Sequence, residues 1–262
     1  MVEVVVNSAR ERLARGELSL GVGVRHSRTV DIARVMATAG FDWLFLDLEH
    51  SAMPLDTASQ IACAALDAGI APIVRVPVGA FTMATRALDT GALGIVMPHI
   101  DTAAEARAVV ERLRFPPLGH RSVGGVAPQL RFRDIPLREA SPLLNAATLV
   151  VVMLETPTAV ANAEAIAAVD GIDVLMIGTN DLTAEMGIPA EFDHPRVAEA
   201  YERVVAAAHG RGRWVGMGGV TTEAGMARYV GMGVRFVLSG HDAGFLMAAA
   251  RARATALRAI SV

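Results

Sequence analysis

The sequence predicts an α/β fold in which eight parallel strands and eight helices alternate in a TIM (β/α)8 barrel. Short apolar runs recur along the chain, and a segment with helical periodicity follows each of them. The runs are continuously apolar rather than alternating, which is typical of parallel strands covered by helices. Eight such pairs in about 240 residues fit a barrel better than an open doubly wound sheet. No linker or low-complexity segment interrupts the pattern, so we expect one domain over residues 1–262.

The first half of the chain supplies a short amphipathic helix at 8–15 and four strand–helix pairs. The strands are expected at 18–24, 41–48, 71–78 and 93–98, and their helices at 29–39, 55–68, 81–90 and 103–113. Ser27 can cap the first of these helices, and Asp101 or Thr102 the last, because their side-chain oxygens accept hydrogen bonds from free backbone N–H groups. The expected ends of the first three helices are marked by glycines, namely Gly40, Gly69 and Gly91.

The second half supplies four more pairs after an irregular stretch. Residues 114–144 show no clear period and are rich in Gly, Pro and Arg. A connection of this length is usually functional or an oligomer contact. The strands are expected at 149–155, 173–178, 213–219 and 234–240, and their helices at 158–168, 196–210, 222–231 and 243–259.

The composition indicates a globular chain with a sizeable core. It is 53% hydrophobic and 19% charged, which excludes a disordered chain. The net charge is -3 and no basic cluster stands out, so nucleic acid and anionic membranes are not expected as partners. We see no signal peptide and no run long enough to span a membrane. Cys63 is the single cysteine and reads as core filling; without an internal disulfide, a cytoplasmic location is expected.

The strongest functional signal lies in residues 149–187, where two successive strands end in acids. One strand ends in Glu155, and Asp181 closely follows the next. The carboxyl ends of parallel strands meet on one side of the sheet, so the two carboxylates should be neighbours. They repel unless a positive charge lies between them, and Mg²⁺ or Mn²⁺ suits oxygen ligands. For either acid alone, a helix-terminal role remains the simpler interpretation; the pair favours a metal site.

Two other strand ends carry reactive side chains. Asp47, Glu49 and His50 follow the second strand, and Arg75 lies in the third. A histidine near an aspartate can act as an oriented base, and an arginine can stabilise an oxyanion. This set suits a reaction that builds negative charge on an oxygen beside a carbon being deprotonated or cleaved. A structural role for His50 and an ion pair inside the barrel for Arg75 remain alternatives.

Several sequence blocks resemble, in order, the HpcH/HpaI family of metal-dependent (class II) pyruvate aldolases. They are GFDWLFLDLEHSAM (40–53), PIVRVP (72–77), GALGIVMPHIDTAAEA (91–106), RFPPLGHRSVG (114–124), ETPTAVAN (155–162), IGTNDLTAEMG (177–187) and GMGVRFVLSGHD (231–242). The family includes 4-hydroxy-2-oxoheptanedioate aldolase and 2-keto-3-deoxy sugar-acid aldolases, and the resemblance spans about residues 18 to 250. It implies a barrel of the phosphoenolpyruvate/pyruvate-binding type. It also implies a homo-oligomer, a hexamer or a trimer, that exchanges its last helix between subunits.

The resemblance further implies an aldehyde-lyase (EC 4.1.2.-) that acts in aromatic or sugar-acid catabolism. Such an enzyme reversibly cleaves a 4-hydroxy-2-oxo acid to pyruvate and an aldehyde through a pyruvate enolate held on a divalent metal. Glu155 and Asp181 would ligate the metal, which is Mg²⁺ or Mn²⁺, with Co²⁺ as a further choice. Arg75 would bind the keto oxygen. His50, oriented by Asp47, would act as acid and base together with a water molecule.

The resemblance also assigns substrate-binding positions, and at some of them this chain departs from the pattern. The substrate carboxylate would bind backbone N–H groups in the segment formed by Gly178, Thr179, Asn180 and Asp181. Met153 stands where family members often carry a glutamine that contacts the substrate, so the site should be more apolar. His241 lies near the mouth, where a helix-start role is the alternative to substrate contact. His120 and Arg121 would reach a neighbouring subunit.

Other functions on the same scaffold stay open at this point. An oxaloacetate-type decarboxylase would form the same enolate, and a citramalyl-CoA-type lyase would share the core residues. A non-catalytic barrel that binds 2-oxo acids is a further alternative. The chain offers no lysine at a strand end for a Schiff base, which argues against a class I aldolase. The glycine-rich pieces 21–24 and 216–219 lack the spacing of a dinucleotide fingerprint.

Overall fold

A computed structural model describes residues 4–261 and shows a closed barrel of eight parallel strands. The strands are β1 Ser19–Val24, β2 Trp43–Asp47, β3 Ala71–Arg75, β4 Gly94–Met97, β5 Leu149–Leu154, β6 Val174–Gly178, β7 Trp214–Gly218 and β8 Phe236–His241. Each strand pairs in parallel with the next, and β8 closes on β1. The predicted TIM-type barrel is therefore confirmed.

The helices surround the barrel in the expected alternation. They are α1 Ser8–Ala14, α2 Asp31–Thr38, α3 Leu55–Ala68, α4 Phe81–Asp89, α5 Ala103–Leu113, α6 Leu137–Ala147, α7 Pro157–Ala161, α8 Ala163–Ala167, α9 Thr179–Glu185, α10 Pro195–His209, α11 Glu223–Met232 and α12 Asp242–Arg258. A short 3₁₀ helix covers Pro128–Leu130. In the part of the chain from 4 to 261, no helix is long and apolar enough to cross a membrane.

The structure corrects four predictions of local structure. The stretch 114–144, taken as irregular, contains the start of α6, whose apolar period is interrupted by Pro142 inside the helix. The helix expected at 158–168 is broken at Asn162, whose side chain donates to the carbonyl of Asp101 at 2.8 Å. A further helix, α9, begins directly after β6. Ser27 does not cap α2, because the helix begins at Asp31 and Val30 is its N-cap.

The strands read as continuous apolar runs because both of their faces are buried. In β2, Trp43 and Phe45 lie among the barrel's interior side chains, whereas Leu44 and Leu46 belong to the layer beneath the helices. Trp43 stacks on Phe236 inside the barrel, with ring centroids 3.9 Å apart. This filled interior leaves room for a site only at the mouth of the barrel.

The last helix, α12, extends away from the rest of the described chain. Of its residues only Asp242, at its first position, is buried. Three of its large apolar side chains are more than half exposed: Leu246 at 72%, Met247 at 58% and Leu257 at 56%. An apolar helix surface of this kind is typical of a protein–protein contact.

Candidate active site

A cavity of about 230 Å³ opens at the carboxyl ends of the strands, and the predicted site residues converge on it. Its wall contains all of the predicted residues except Asp47, namely His50, Arg75, Met153, Glu155, Gly178, Thr179, Asn180 and Asp181. The remaining lining residues are Arg25, Phe45, Met176, Gly218, Gly219 and Leu238. The structure thus brings together side chains from strands that are far apart in sequence.

Glu155 is the buried acid of the cavity. It directly follows β5, and only 1% of it is exposed. Its Oε2 accepts a hydrogen bond from the backbone N–H of His99 at 2.9 Å and lies 3.6 Å from the imidazole Nδ1 of the same residue. Burial raises the pKa of Glu155 to about 7, and the charge of Asp181 acts in the same direction. The negative charge of this carboxylate is therefore poorly compensated by the protein alone.

Gly178 provides the space that the Glu155 side chain occupies. The parallel register pairs Leu154 with Ile177, so Glu155 and Gly178 are the next neighbours across β5 and β6. A Cβ atom at Gly178 would lie 2.4 Å from Oε1 and 2.6 Å from Cγ of Glu155. Directly after Gly178, the chain turns into α9, whose first turn carries Asp181. Glycine at this position lets both acids approach the mouth.

A second buried acid, Asp47, is fully paired. Its Oδ1 accepts from Nε of Arg75 at 3.0 Å, and its Oδ2 accepts from Nη2 of Arg75 at 2.7 Å. Nε of Arg25 donates to the same Oδ2, also at 2.7 Å. Burial alone would raise the pKa of Asp47, but the hydrogen bonds and charges of the arginines hold it below its usual value. Arg75, which is 5% exposed, is also fixed by Glu49, whose Oε2 lies 3.2 Å from Nη1.

The expected contact between the Asp47 carboxylate and the His50 imidazole is wrong. His50 donates to Asp47 through its backbone N–H, at 3.1 Å, and not through its imidazole, because the two arginines occupy the side-chain oxygens of Asp47. The imidazole instead lies near Glu49, with Nε2 at 3.8 Å from Oε2. The His50 side chain is 56% exposed and lines the cavity. Its role as acid and base stays a prediction.

Two of the three other candidates, His241 and Arg121, have side-chain contacts within their own subunit. His241 caps α12, since its Nδ1 accepts from the N–H of Gly244, which matches the helix-start alternative. Arg121 is buried, donates to Asp89 at 2.6 Å and stacks on the ring of Phe115. His120 is exposed. The role of His120 and Arg121 at a neighbouring site stays a prediction.

Sequence reasoning missed three residues of the mouth. Arg25 directly follows β1, so the strand-end rule that selected Glu155 should have selected it as well. His99 has a positive φ of 52°, which sequence does not reveal, and this turn aims its N–H at Glu155. Asp242 follows β8 and accepts hydrogen bonds from three successive backbone N–H groups of residues 25–27. Although burial opposes it, these bonds lower the pKa of Asp242 to about 2.

The comparisons with known proteins decide the family. A family model described as HpcH/HpaI aldolase/citrate lyase matches residues 25–249. The chain belongs to this family. It is 41% identical to a 4-hydroxy-4-methyl-2-oxoglutarate aldolase from Chaetomium globosum over 93% of this chain and 92% of the relative. It is 38% identical to a 4-hydroxy-2-oxovalerate aldolase from Rhodococcus jostii over 90% of each protein.

A solved structure gives the same result for the fold. The crystal structure of an HpcH/HpaI aldolase from Desulfitobacterium hafniense superimposes with a TM-score of 0.90 at 28% identity. The match covers 96% of this chain and 97% of the other. These findings confirm the family that the sequence blocks indicated and support an enzyme of aldolase type.

We expect the metal-free protein to lose stability on ionisation of Glu155. The folded pKa of about 7 lies above the ordinary value of 4.5, so the carboxyl imposes no penalty below about pH 4.5. As the pH rises through 7, the unfolded state ionises more readily, and the folded state loses about 3 kcal/mol. In chelator, the stability advantage of Glu155→Gln over wild type should therefore grow by this amount between pH 4.5 and 8. Urea unfolding at several pH values measures it.

A control variant tests whether the loss of any carboxylate would change the pH dependence of stability in the same way. Glu164 lies on α8 with a side chain that is 81% exposed, so Glu164→Gln should run parallel to wild type at every pH. If the curve of Glu155→Gln also ran parallel to wild type, Glu155 would not be ionising with a raised pKa.

Proposed function

We propose that this chain is a divalent-metal-dependent pyruvate aldolase that cleaves a 4-hydroxy-2-oxo acid to pyruvate and a carbonyl compound. The observation that carries the proposal is the meeting of the buried, uncompensated carboxylate of Glu155 with Asp181 and Arg75 in one small cavity. Both curated relatives described above are named aldolases of 2-oxo acids. The substrate named for the first relative has a second carboxylate, and the substrate named for the second relative has none. The two names therefore do not decide which group the distal half of this chain's substrate carries.

The residues at the mouth fit a metal ion. Glu155 and Asp181 offer oxygen ligands. Because burial disfavours the ionised form of Glu155, a cation beside this carboxylate would stabilise its charge. Within residues 4–261, no group of three or more His, Cys, Asp and Glu side chains is arranged as a metal site. Two carboxylates leave most positions around Mg²⁺ or Mn²⁺ open to water and substrate, which suits these ions and Co²⁺. When bound, the cation would act as a Lewis acid on the oxygens of the 2-oxo acid.

Arg75 is the residue best placed to stabilise the negative charge that cleavage creates. Asp47 and Glu49 hold its guanidinium from three directions, so little reorganisation is needed during the reaction. Such fixed donors are worth most when they face the oxygen on which charge develops. In this proposal, that atom is the keto oxygen of the substrate, which becomes the enolate oxygen.

His50 is proposed to move the protons, either directly or through one water molecule. It removes the proton of the C4 hydroxyl, the C3–C4 bond breaks, and C4 becomes the carbonyl carbon of the leaving product. The electron pair of the broken bond forms the C2–C3 double bond of the enolate, and a proton delivered to C3 gives pyruvate. Glu49 is the acid beside the imidazole, at 3.8 Å.

The composition of the chain rules out the main alternative chemistry for aldolases. All of its basic residues other than histidine are arginines, and the sequence contains no lysine. A Schiff base with the substrate requires a lysine amine. Electrophilic assistance must therefore come from another source, and Arg75 with a cation at Glu155 and Asp181 supplies it in this proposal.

We expect the protein to exchange the methyl protons of pyruvate in D₂O when Mg²⁺ or Mn²⁺ is present. Exchange requires enolate formation but no knowledge of the second product. Chelator or Asp181→Asn should reduce the rate by about 100-fold or more. NMR of the methyl signal measures it, and Asp170→Asn is the control because Asp170 is 91% exposed and lies before the amino-terminal end of β6, away from the mouth at the carboxyl ends of the strands. Exchange that persists in chelator would refute the metal dependence.

Gly178→Ala should weaken metal binding although no ligand is changed. Its Cβ would force Glu155 out of its place, so the Mn²⁺ affinity should fall by about 10- to 100-fold. Gly231→Ala is the matched control, because a Cβ there meets no atom within 4 Å. Titration of free Mn²⁺ by electron paramagnetic resonance measures the affinity. Equal affinities in the two variants would show that Glu155 does not hold the ion.

We also propose that α12 packs against a second copy of the chain in a homo-oligomer, as a hexamer or a trimer. The helix buries only Asp242 on its own barrel and leaves Leu246 and Met247 exposed. Charging both positions, as Leu246→Asp with Met247→Asp, should lower the particle mass measured by light scattering. Val35→Asp, which changes a 55% exposed residue on α2, should not. A monomeric wild type would refute the proposal.

A further inference from the structure

The guanidinium group of Arg25, at the mouth of the barrel, is only partly hydrogen-bonded to other protein groups. Its Nε donates to Asp47 at 2.7 Å, and its backbone N–H donates to Asp242 at 3.3 Å. Among the residues from 4 to 261, neither Nη atom of Arg25 has a hydrogen-bond partner. The side chain is 36% exposed and lines the same cavity as Glu155. Arg25 is therefore held in place from two sides while the end of its guanidinium group faces the cavity.

Arg75 differs from Arg25 in this respect. Its Nε and Nη2 are bound to Asp47, its Nη1 lies 3.2 Å from Glu49, and its side chain is 6% exposed. Two acids thus restrain Arg75, whereas Arg25 keeps the donors of both Nη atoms for a ligand. A guanidinium edge of this kind matches a carboxylate, because two parallel N–H groups can bind its two oxygens.

The barrel topology places Arg25 and Glu155 after opposite strands of the barrel. In a closed ring of eight strands, β1 lies opposite β5, and Glu155 follows β5 whereas Arg25 follows β1. A 2-oxo acid whose keto and carboxylate oxygens bind near Glu155 and Asp181 must extend its other end across the mouth. That end reaches the side formed by β1 and β2, where Arg25 and His50 line the cavity.

We propose that Arg25 binds a second carboxylate, carried on the half of the substrate that leaves as the carbonyl product. The inference rests on the proposed function and narrows it to 4-hydroxy-2-oxo acids whose second carboxylate is attached to C4. Cleavage of the C3–C4 bond then yields pyruvate and a second 2-oxo acid. The proton of the C4 hydroxyl goes to the base, and C3 receives a proton. In the reverse direction, Arg25 selects a carbonyl compound that bears a carboxylate next to the reacting carbon.

Two ligands that cannot be cleaved test this assignment directly. 2-Oxoglutarate and 2-oxopentanoate have the same chain length and the same 2-oxo acid end, and they differ only in a distal carboxylate against a methyl group. With saturating Mg²⁺, wild type should bind 2-oxoglutarate about 10- to 100-fold more tightly by calorimetry, as expected for a charge-assisted, two-pronged contact.

Variants at Arg25 should remove this preference. Arg25→Gln should bring the ratio of the two dissociation constants close to one, and Arg25→Lys should retain part of it because the charge stays and the planar fork is lost. Arg34→Gln is the control for the lost charge, since Arg34 is exposed on α2 and its side chain makes no hydrogen bond or ion pair with the described residues. Circular dichroism confirms that each variant is folded.

The outcomes separate this inference from the function on which it rests. If wild type binds both ligands equally, or if Arg25→Gln and Arg25→Lys weaken both by the same factor, Arg25 acts only on Asp47 and the inference is overturned while the aldolase proposal stands. If wild type binds neither ligand in the presence of metal, the proposed function fails and the inference falls with it.

Discussion

The ion pair between Asp47 and Arg75 is the interaction on which the rest of the mouth depends. Asp47 has no exposed surface, and a buried carboxylate without partners would cost several kcal/mol. Both of its oxygens are bound by arginines, and Oδ1 also accepts the backbone N–H groups of Glu49 and His50. One carboxylate therefore fixes the direction of Arg75, anchors Arg25 and shapes the turn that carries His50. Replacing Asp47 would change all of these positions at once.

The two buried acids of the mouth are used in opposite ways. Asp47 is compensated by arginines, so its pKa stays below the usual value. The Oε2 of Glu155 lies 3.6 Å from the imidazole Nδ1 of His99, and burial raises the pKa of Glu155 to about 7. When the surroundings of two carboxylates shift their pKa values in opposite directions, the two groups commonly have different roles in one site. Here the first acid orients protein groups, and in the proposed function the second acid binds a metal ion.

Sequence reasoning found the barrel because burial on both strand faces leaves a clear signal, a continuous apolar run. It also found Glu155, Asp181 and Arg75, because a barrel brings all strand ends to one mouth. It failed where the outcome depends on which of several partners a group selects. The positions of these residues in the sequence do not show that two arginines bind the carboxylate oxygens of Asp47, or that the His50 imidazole lies beside Glu49 instead. Helix α6 was missed for a local reason, since a proline inside a helix conceals the period.

The seam that closes the barrel also positions the residue proposed to set specificity. β8 pairs with β1, and the register shifts between Gly21 and Gly23, where Gly23 lies opposite His241. A Cβ at Gly23 would approach the Cβ of His241 to 3.1 Å, so glycine permits the close pairing at this point. The next residue, Asp242, then binds the backbone of the loop that begins at Arg25. Asp47, at the end of β2, binds the side chain of the same arginine. The contacts that close the barrel between β8 and β1 therefore also help to orient Arg25. A substitution where β8 pairs with β1 should therefore displace Arg25 more than it displaces Glu155, which follows a strand on the opposite side of the barrel.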